Sequence, residues 1–575
     1  MKAGPPLATI IALLLVGLAS GPAIAASGGQ CARSYDPSEQ PPFGGRALPP
    51  LERPVGGNRP PGHELSTRDA IAIAAGTEAV REELAESPGA EPEARVRGTC
   101  FWEVEYVTGG ERGGTAVAEV LIEDPTGRVL EAWNDHQVEV KLARGYDGAV
   151  AGPADSPFVW IPLCVLFVLP FFDSRRPLRL LHLDLVAVLA LSVSLLFFNR
   201  GEITLSAPLV YPILAYLFVR MLLAGLRPRP ERGALVPLVP ITWLAIAALL
   251  LAGGRIALNV VDSQVIDIGL AGVVGAERIE RGEELYEGGF NPPEIDLRGD
   301  VYGPANYLAY LPFEQALPWS GEWDDVPAAH AAAIAFDLLT AVALFLAGRR
   351  LRGDGEGTGL GVALSFAWLA CPWTLYTMNA SANDALIGLL IATALAFLAS
   401  PAVRGVLIAL GSAVKFGPLA LAPLFATGTG ERRWRSALVF SLAFIALVAL
   451  VTLPFLPDGG PRELYDRTFG YQASRGSPFS VWGLEPALDS LETLARAFAV
   501  VLGLVVALYP ARRNPVQVAA LGAAVIIALE VGATHWFYFY VVWFLPLLLF
   551  ALFAGRERIA AGDVEARPPH VQWSR

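Results

Sequence analysis

Charge is what this chain has least of. Asp, Glu, Lys and Arg supply 17% of its 575 residues, where about a quarter is usual in a soluble chain, and the shortage excludes an ordinary soluble multidomain protein. Lysine is almost missing: Lys2, Lys141 and Lys415 are the only three, so 40 of the 43 cationic side chains are Arg, a bias that fits GC-rich coding better than function. With a formal charge of −12 and no basic stripe interleaved with aromatics, nothing points to nucleic acid. Cysteine is scarce as well, four residues at no zinc-ligand spacing. Cys164 and Cys371 fall in apolar runs, leaving Cys31 and Cys100 in one polar region.

What is abundant is apolar residues, 54% of the chain, with a mean hydropathy of +0.46. They come in uncharged runs of roughly 16–24 residues, long enough to cross ~30 Å of hydrocarbon. Spans are expected near 157–172, 180–198, 204–226, 234–253, 328–347, 358–376, 384–399, 435–456, 491–510, 516–533 and 536–554. Alternate loops are basic: Arg175, Arg176 and Arg179; Arg227, Arg229 and Arg232; Arg349, Arg350 and Arg352; Arg512 and Arg513; then Arg556 and Arg558 at the end. By the positive-inside rule those loops and the C-terminus face the cytoplasm, and the N-terminal region lies outside a bacterial plasma membrane. Residues 405–425 break the count, because Arg404 and Arg432–Arg435 on its two flanks both favour the cytoplasm. Lys415-Phe416-Gly417-Pro418 sits at its midpoint, where a charge costs about 3 kcal/mol and Gly-Pro ends a helix. Two half-helices entering and leaving from one side satisfy both constraints.

Ahead of the membrane region, Lys2, the apolar Leu7–Leu18 and the small-residue site Ala23-Ile24-Ala25 read as a secretory signal, residues 1–26. A Pro/Gly-rich arm follows over 27–62. Residues 63–150 then show a capping box at Ser66–Asp69, one helix face at Ile73, Thr77, Val80 and Leu84, and three alternating strands with turn chemistry at Asp124–Gly127. The expected architecture is a polytopic α-helical membrane protein, about eleven spans plus a re-entrant hairpin, with a small α+β extracytoplasmic N-terminal domain. Cys31 and Cys100, both exported, are expected to pair.

Two long outer loops carry the chemistry-bearing residues. The first, 254–327, opens Asn259-Val-Val-Asp262-Ser-Gln-Val-Ile-Asp267-Ile-Gly269 and continues through Ala271, Gly275, Gly282 and Tyr286 to Asp300-Val301-Tyr302-Gly303-Pro304. This order resembles the GT-C glycosyltransferases: an acid just after a span, an Ala- and Gly-spaced helix ending near a Tyr, then a Tyr-Pro-Pro-Leu-like entry into further helices. Asn383-Asp384 at an outer helix end and Lys415-Phe416-Gly417-Pro418 resemble polyprenyl-phosphate-sugar mannosyltransferases. Trp102-Glu-Val-Glu-Tyr106 and Ile122-Glu-Asp-Pro-Thr-Gly-Arg-Val129 resemble a PepSY-like domain. The GT-C resemblance covers roughly 234–555, and makes 157–233 accessory helices and 556–575 a cytoplasmic tail. It implies transfer of a sugar, mannose or arabinose, from a polyprenyl-phosphate donor to a cell-envelope glycan, lipid or protein acceptor. The chain departs from the pattern in its three extra leading spans, in Gly303 where Pro is commoner, and in lacking Asp-x-Asp, which leaves a divalent cofactor such as Mg or Mn without assigned ligands.

Such a transfer needs a base for the acceptor hydroxyl and cations for the departing phosphate. Asp267 is the expected base and Asp262 the second candidate; the alternative for either is a helix cap. Five residues apart, the two lie about 140° from each other on a helix and need not share a pocket. Asp300, Tyr302, Asn383, Asp384, Lys415 and His535 are expected at the substrate. In the second loop Arg467 and Arg475, set among aromatics, are expected on phosphate; a solvated interfacial belt is the competing reading. The rival function is a multi-span transporter or flippase of lipid-linked precursors. That class predicts inverted repeats with paired broken helices, and only one broken segment is visible here.

Overall fold

The computed structural model describes residues 35–560 apart from 38–39, 41–47, 55–58, 110–114, 147, 229–230, 238, 287–289, 291–298, 324–325 and 431–432. The expected signal segment, Cys31, much of the 27–62 arm and residues 561–575 lie outside the described residues. Among the described residues, Pro49–Ala132 form one compact unit and Trp133 onward belong to another. The units divide at Pro49 and Trp133, where the expected domain bounds are 63 and 150. Leu51–Glu52 pairs with the sheet of the first unit. Residues beyond Trp133 already bond to the helical unit, as in Gln137 Nε2 to the Gly201 carbonyl at 2.8 Å and Asn379 Nδ2 to the Ala151 carbonyl at 2.6 Å.

The first unit opens on helix α1 (Thr67–Ala75), where Ser66 and Asp69 satisfy each other's backbone N–H groups at 3.2 and 3.0 Å, the reciprocal cap of a helix start. The expected single helix is two. Thr77 leaves the helical region (φ −74°, ψ 154°) and its hydroxyl accepts from Val80 N–H, starting α2 (Glu78–Glu86). A threonine read from sequence as a face residue is therefore a cap. Strands β1 (Leu51–Glu52), β2 (Glu91–Arg97), β3 (Phe101–Thr108), β4 (Thr115–Glu123) and β5 (Arg128–Asn134) follow one another in the sheet. Trp102, Val104 and Tyr106 alternate inward onto Ala70, Ala74 and Val80. Asp124, expected only as a turn residue, is buried and accepts from Trp102 Nε1 at 2.7 Å and Glu64 N–H at 2.6 Å, with His63 Nδ1 at 3.0 Å. Cys100 is in a disulfide, and Cys164 and Cys371 are free thiols.

In the second unit, six helices among the described residues are long and apolar enough to cross a membrane: Leu180–Phe198, Ile203–Leu226, Ile241–Val261, Pro327–Arg352, Arg433–Phe455 and Pro486–Leu508. A seventh is a pair, Glu356–Ala370 and Pro372–Asn379, bent by 58° where Pro372 cannot continue the ladder. The count of eleven is not reproduced. Four expected spans, Pro157–Phe171, Asp384–Ala396, Pro515–Val531 and Tyr538–Ala554, are shorter apolar helices; at 1.5 Å per residue even 17 residues give about 26 Å. Tyr538–Ala554 is buried along nearly its whole length, and a helix apolar on every face belongs inside other helices as well as in lipid. Hydropathy alone does not separate these cases.

The expected span 234–253 starts late, at Ile241 after Pro240, because β6 (Glu231–Val236) pairs in parallel with β7 (Arg556–Ala560) instead. That pairing gathers the basic loops at one end of the bundle: Arg179 donates to the Ala234 carbonyl at 3.3 Å and Arg352 to the Ala554 carbonyl at 2.9 Å. Residues 401–427 fold back on themselves. Helix Pro401–Val414 ends at Lys415, which is extended (φ −139°, ψ 146°), and a 3-10 turn Gly417–Leu421 leads into helix Ala422–Thr427. Buried Arg404 clasps the two arms at their open end, donating to the carbonyls of Phe425 and Ala426 and to Ser436 Oγ. Lys415 thus occupies the closed end.

Candidate active site

Asp267 is positioned by an extended stretch and then by a helix. Gln264 N–H donates to the Asn379 carbonyl at 2.9 Å, Ile266 N–H to the Ala380 carbonyl at 3.3 Å, and Trp323 Nε1 to the Val265 carbonyl at 2.6 Å. Helix Asp267–Arg281 begins directly after and ends at left-handed Gly282. Its glycines are close-approach positions: a Cβ at Gly272 would stand 2.6 Å from the Tyr310 ring, and one at Gly275 2.2 Å from the Tyr307 ring. The helix therefore lies tight against Pro304–Ala316, and its first residue is held in the lining of a cavity. Asp262, by contrast, is the exposed C-cap of Ile241–Val261 and does not line that cavity.

The residues at 299–302 form a strap bolted down by tyrosines. Tyr307 Oη donates to the Gly299 carbonyl at 2.7 Å, Tyr302 N–H donates to Tyr307 Oη at 3.2 Å, and Tyr286 Oη donates to the Tyr302 carbonyl at 2.9 Å. The next residue explains a departure noted in the sequence. A Cβ at Gly303 would sit 2.1 Å from the Ala413 carbonyl oxygen, so neither Pro nor Ala fits where the strap crosses the break before Lys415. Overpacking against backbone costs about 1–3 kcal/mol. Gly303→Ala should lower the thermal midpoint and impair turnover; an unchanged midpoint in a melting experiment contradicts this placement.

The cavity has a volume of about 390 Å³, and Asp267, Tyr302, Lys415, Arg475 and His535 all reach it. Much of the remaining wall is apolar, including Phe416, Phe469, Val500, Leu529 and Phe537. Burial raises the Asp267 carboxyl above its ordinary range, opposed by its hydrogen bond from Ile268 N–H at 2.8 Å and by the charges of Arg475 and Lys415. His535 meets the reverse: burial, then the same two cations, hold its imidazole well below its ordinary value and therefore neutral. Ser477 Oγ lies 2.9 Å from its Nδ1. Arg475 is half-buried and, among the described residues, makes no side-chain hydrogen bond.

Lys415 is fixed from behind. Its Nζ donates to Asp384 Oδ1 at 2.8 Å, and Trp543 Nε1 donates to the same oxygen at 2.8 Å. The rings of Tyr302, Tyr540 and Trp543 stand 5.5, 5.8 and 5.8 Å from that ammonium, within cation–π range. Asp384 is thus a support for the cation. Asn383, also expected at the substrate, is buried and donates to Asn306 Oδ1 at 2.8 Å. Asp300 and Arg467 pair with each other at 2.8 Å outside this cavity.

Residues 301–553 match the family model of glycosyltransferase family 87. No match was found among curated proteins. The match makes this chain a transferase of the glycosyltransferase class and, with its apolar helices, a membrane protein. It covers the strap from Val301, the folded-back segment and the Arg475 loop, and it begins downstream of Asp267.

Sequence reasoning missed part of the transferase's cavity wall. Glu530, Tyr540 and Trp543 line it; Glu530 is buried, with Oε2 accepting from Trp536 Nε1 at 3.1 Å. The signal was available, since a lone acid in an apolar run is a functional candidate by default. Tyr540 and Trp543, in contrast, are indistinguishable in sequence from an interfacial aromatic belt. Among the described residues no group of three His, Cys, Asp or Glu could hold a metal ion, so no ligand set for Mg or Mn is found there and no step is routed through one.

Proposed function

We propose that this transferase is a GT-C enzyme that moves a sugar, mannose or arabinose, from a polyprenyl-phosphate donor to a hydroxyl of a cell-envelope acceptor on the extracytoplasmic face. The observation that carries this reading is that Asp267 shares a largely apolar-walled cavity with the cations Lys415 and Arg475. The apolar wall suits a prenyl chain, and the cations suit the phosphate. Asp267 takes the acceptor's proton as its oxygen attacks the anomeric carbon; the bond from that carbon to the phosphate oxygen breaks, and the electron pair leaves on polyprenyl phosphate. Lys415 and Arg475 balance the charge developing there. Asp384 is held by Lys415, and Glu530 accepts from Trp536 through Oε2. With Asp267 as the single base the transfer is one displacement, which inverts the anomeric centre. Mass spectrometry of envelope glycans from cells with and without the protein tests the reading. A hexose or pentose missing without the protein is expected, and an unchanged glycan profile rejects it.

The gathered basic loops support this orientation. Cysteines placed at Ser87 and Ser320 should react with an impermeant thiol reagent in intact cells, and one at Gly430 should not. Strong labelling at Gly430 reverses the placement of residues 401–427. The exported side is also where Cys31 is proposed as the disulfide partner of Cys100. Peptide mapping without reductant should return one linked pair, and an unlinked Cys100 peptide rules the pairing out.

A further inference from the structure

A second cavity adjoins the first, and one wall serves both. In the strap, Asp300 lines the second cavity, Tyr302 the first, and Val301 both. Residues 466–475 divide in the same way. Arg467, Gly470, Tyr471 and Ser474 face the second cavity, whereas Phe469, Gln472, Ala473 and Arg475 face the first. Residues Asp466–Gly470 form a π-helical turn continuous with Tyr471–Ser474, a rare conformation frequent at functional sites. The second cavity has a volume of about 620 Å³, within the usual range of small-molecule sites, roughly 300–1,000 Å³.

Its chemistry is different from that of the first cavity. Asp300 is buried, 6% exposed, and binds Arg467 Nη1 at 2.8 Å, while Arg467 also binds Glu463 at 2.7 Å. The Arg467 side chain keeps 32% exposure, and its fork carries five N–H donors in all. Tyr471 offers a ring face, Ser474 a hydroxyl, and Gly470 no side chain at all. A fixed carboxylate accepts from one hydroxyl while the guanidinium beside it donates to the neighbouring one. An aromatic face covers the apolar side of a sugar ring. A prenyl chain gains nothing from such a lining.

We infer that the second cavity is the acceptor subsite and takes a polyhydroxylated, uncharged sugar unit. Asp300 and Arg467 hold its vicinal hydroxyls and Tyr471 lies against its ring. The unit's reactive hydroxyl crosses at Val301, where the two cavities meet, toward Asp267. This assignment rests on the transferase reading above and adds a substrate class and residues to it.

The test is direct binding to the full-length protein in detergent, with two probes measured separately. Methyl glycosides of mannose, glucose, galactose and arabinose probe the second cavity by saturation-transfer NMR, and decaprenyl phosphate probes the first by equilibrium binding. Ser474→Trp fills the second cavity and Tyr471→Ala removes its ring. The wild-type protein should bind at least one glycoside, both variants should weaken that binding tenfold or more, and decaprenyl phosphate affinity should change by less than about twofold. Absence of glycoside binding in the wild type, or its survival in Ser474→Trp, overturns the assignment. A loss of decaprenyl phosphate binding in the variants overturns it too, because the second cavity then belongs to the donor. Failure of the wild-type protein to bind decaprenyl phosphate at all instead rejects the donor reading, a separate outcome.

Discussion

Asp267→Asn lowers turnover by about two to four orders of magnitude, the range lost when a general base is removed, while the protein still folds and binds its lipid donor. The substitution keeps the size of the side chain and its acceptor for Ile268 N–H, the one hydrogen bond Asp267 makes among the described residues. Neither cation depends on it: Lys415 is held by Asp384, and the Arg475 side chain makes no hydrogen bond among the described residues. The pH profile carries a second signature. Because burial raises the Asp267 carboxyl, the proton that must leave before the base can act is lost above the ordinary range near 4. The acid limb of kcat is therefore displaced upward in the native enzyme and absent from the residual activity of the variant. Asp262→Asn, changed at an exposed helix end, is the matched control and should retain most activity. Near-normal turnover in a folded Asp267→Asn protein removes this residue from the mechanism and brings Asp262 forward.

Arg475→Ala lowers kcat by about 10²–10³, as loss of one donor to a developing anion does, with little change in stability. The expectation of stability is structural, since no hydrogen bond or ion pair among the described residues is broken. Arg475→Lys should recover part of the loss by restoring the charge without the planar fork. Lys415 is the poorer test. Removing it leaves Asp384, which is 0% exposed, without its cation, and breaking a buried pair costs about 3–5 kcal/mol. Arg467→Ala should act differently from Arg475→Ala, by weakening acceptor use rather than the chemical step. Comparing thermal midpoints with kcat for the Arg475 variants decides the matter; a large loss of midpoint, or an unchanged kcat, contradicts the phosphate role.

How much of this was legible in the sequence depends on the kind of signal. Arg404 and Lys415 could be read because charges in apolar runs are costly and demand a geometric solution, and the structure brings the two arms together through Arg404. Asp267 was nominated by its position just past a helix end together with the GT-C resemblance. Partnership was not readable: Asp384, Asn383 and Asp300 were nominated for the substrate as single residues, yet Asp384 serves Lys415 and Asn383 serves Asn306. Such contacts join residues 31 and 77 positions apart, and no local pattern records them. The span count of eleven was not reproduced for a related reason. An apolar stretch of 13 residues such as Asp384–Ala396 satisfies hydropathy whether lipid or protein surrounds it, and only the packed structure shows which neighbours it has. Thr77 was misread because a threonine suits a helix face and a cap equally well until φ and ψ are known.

The central claim is that this cavity parts a sugar from a polyprenyl phosphate. Purified protein should be incubated with polyprenyl-phosphate mannose or arabinose and a glycoside acceptor, and free polyprenyl phosphate and glycosylated acceptor quantified together by mass spectrometry. The account predicts that both appear in equal amounts with wild-type protein, with inverted anomeric configuration, and that both fall together in Asp267→Asn. Neither donor being consumed by a folded, lipid-binding protein, or equal release by wild type and Asp267→Asn, would contradict it.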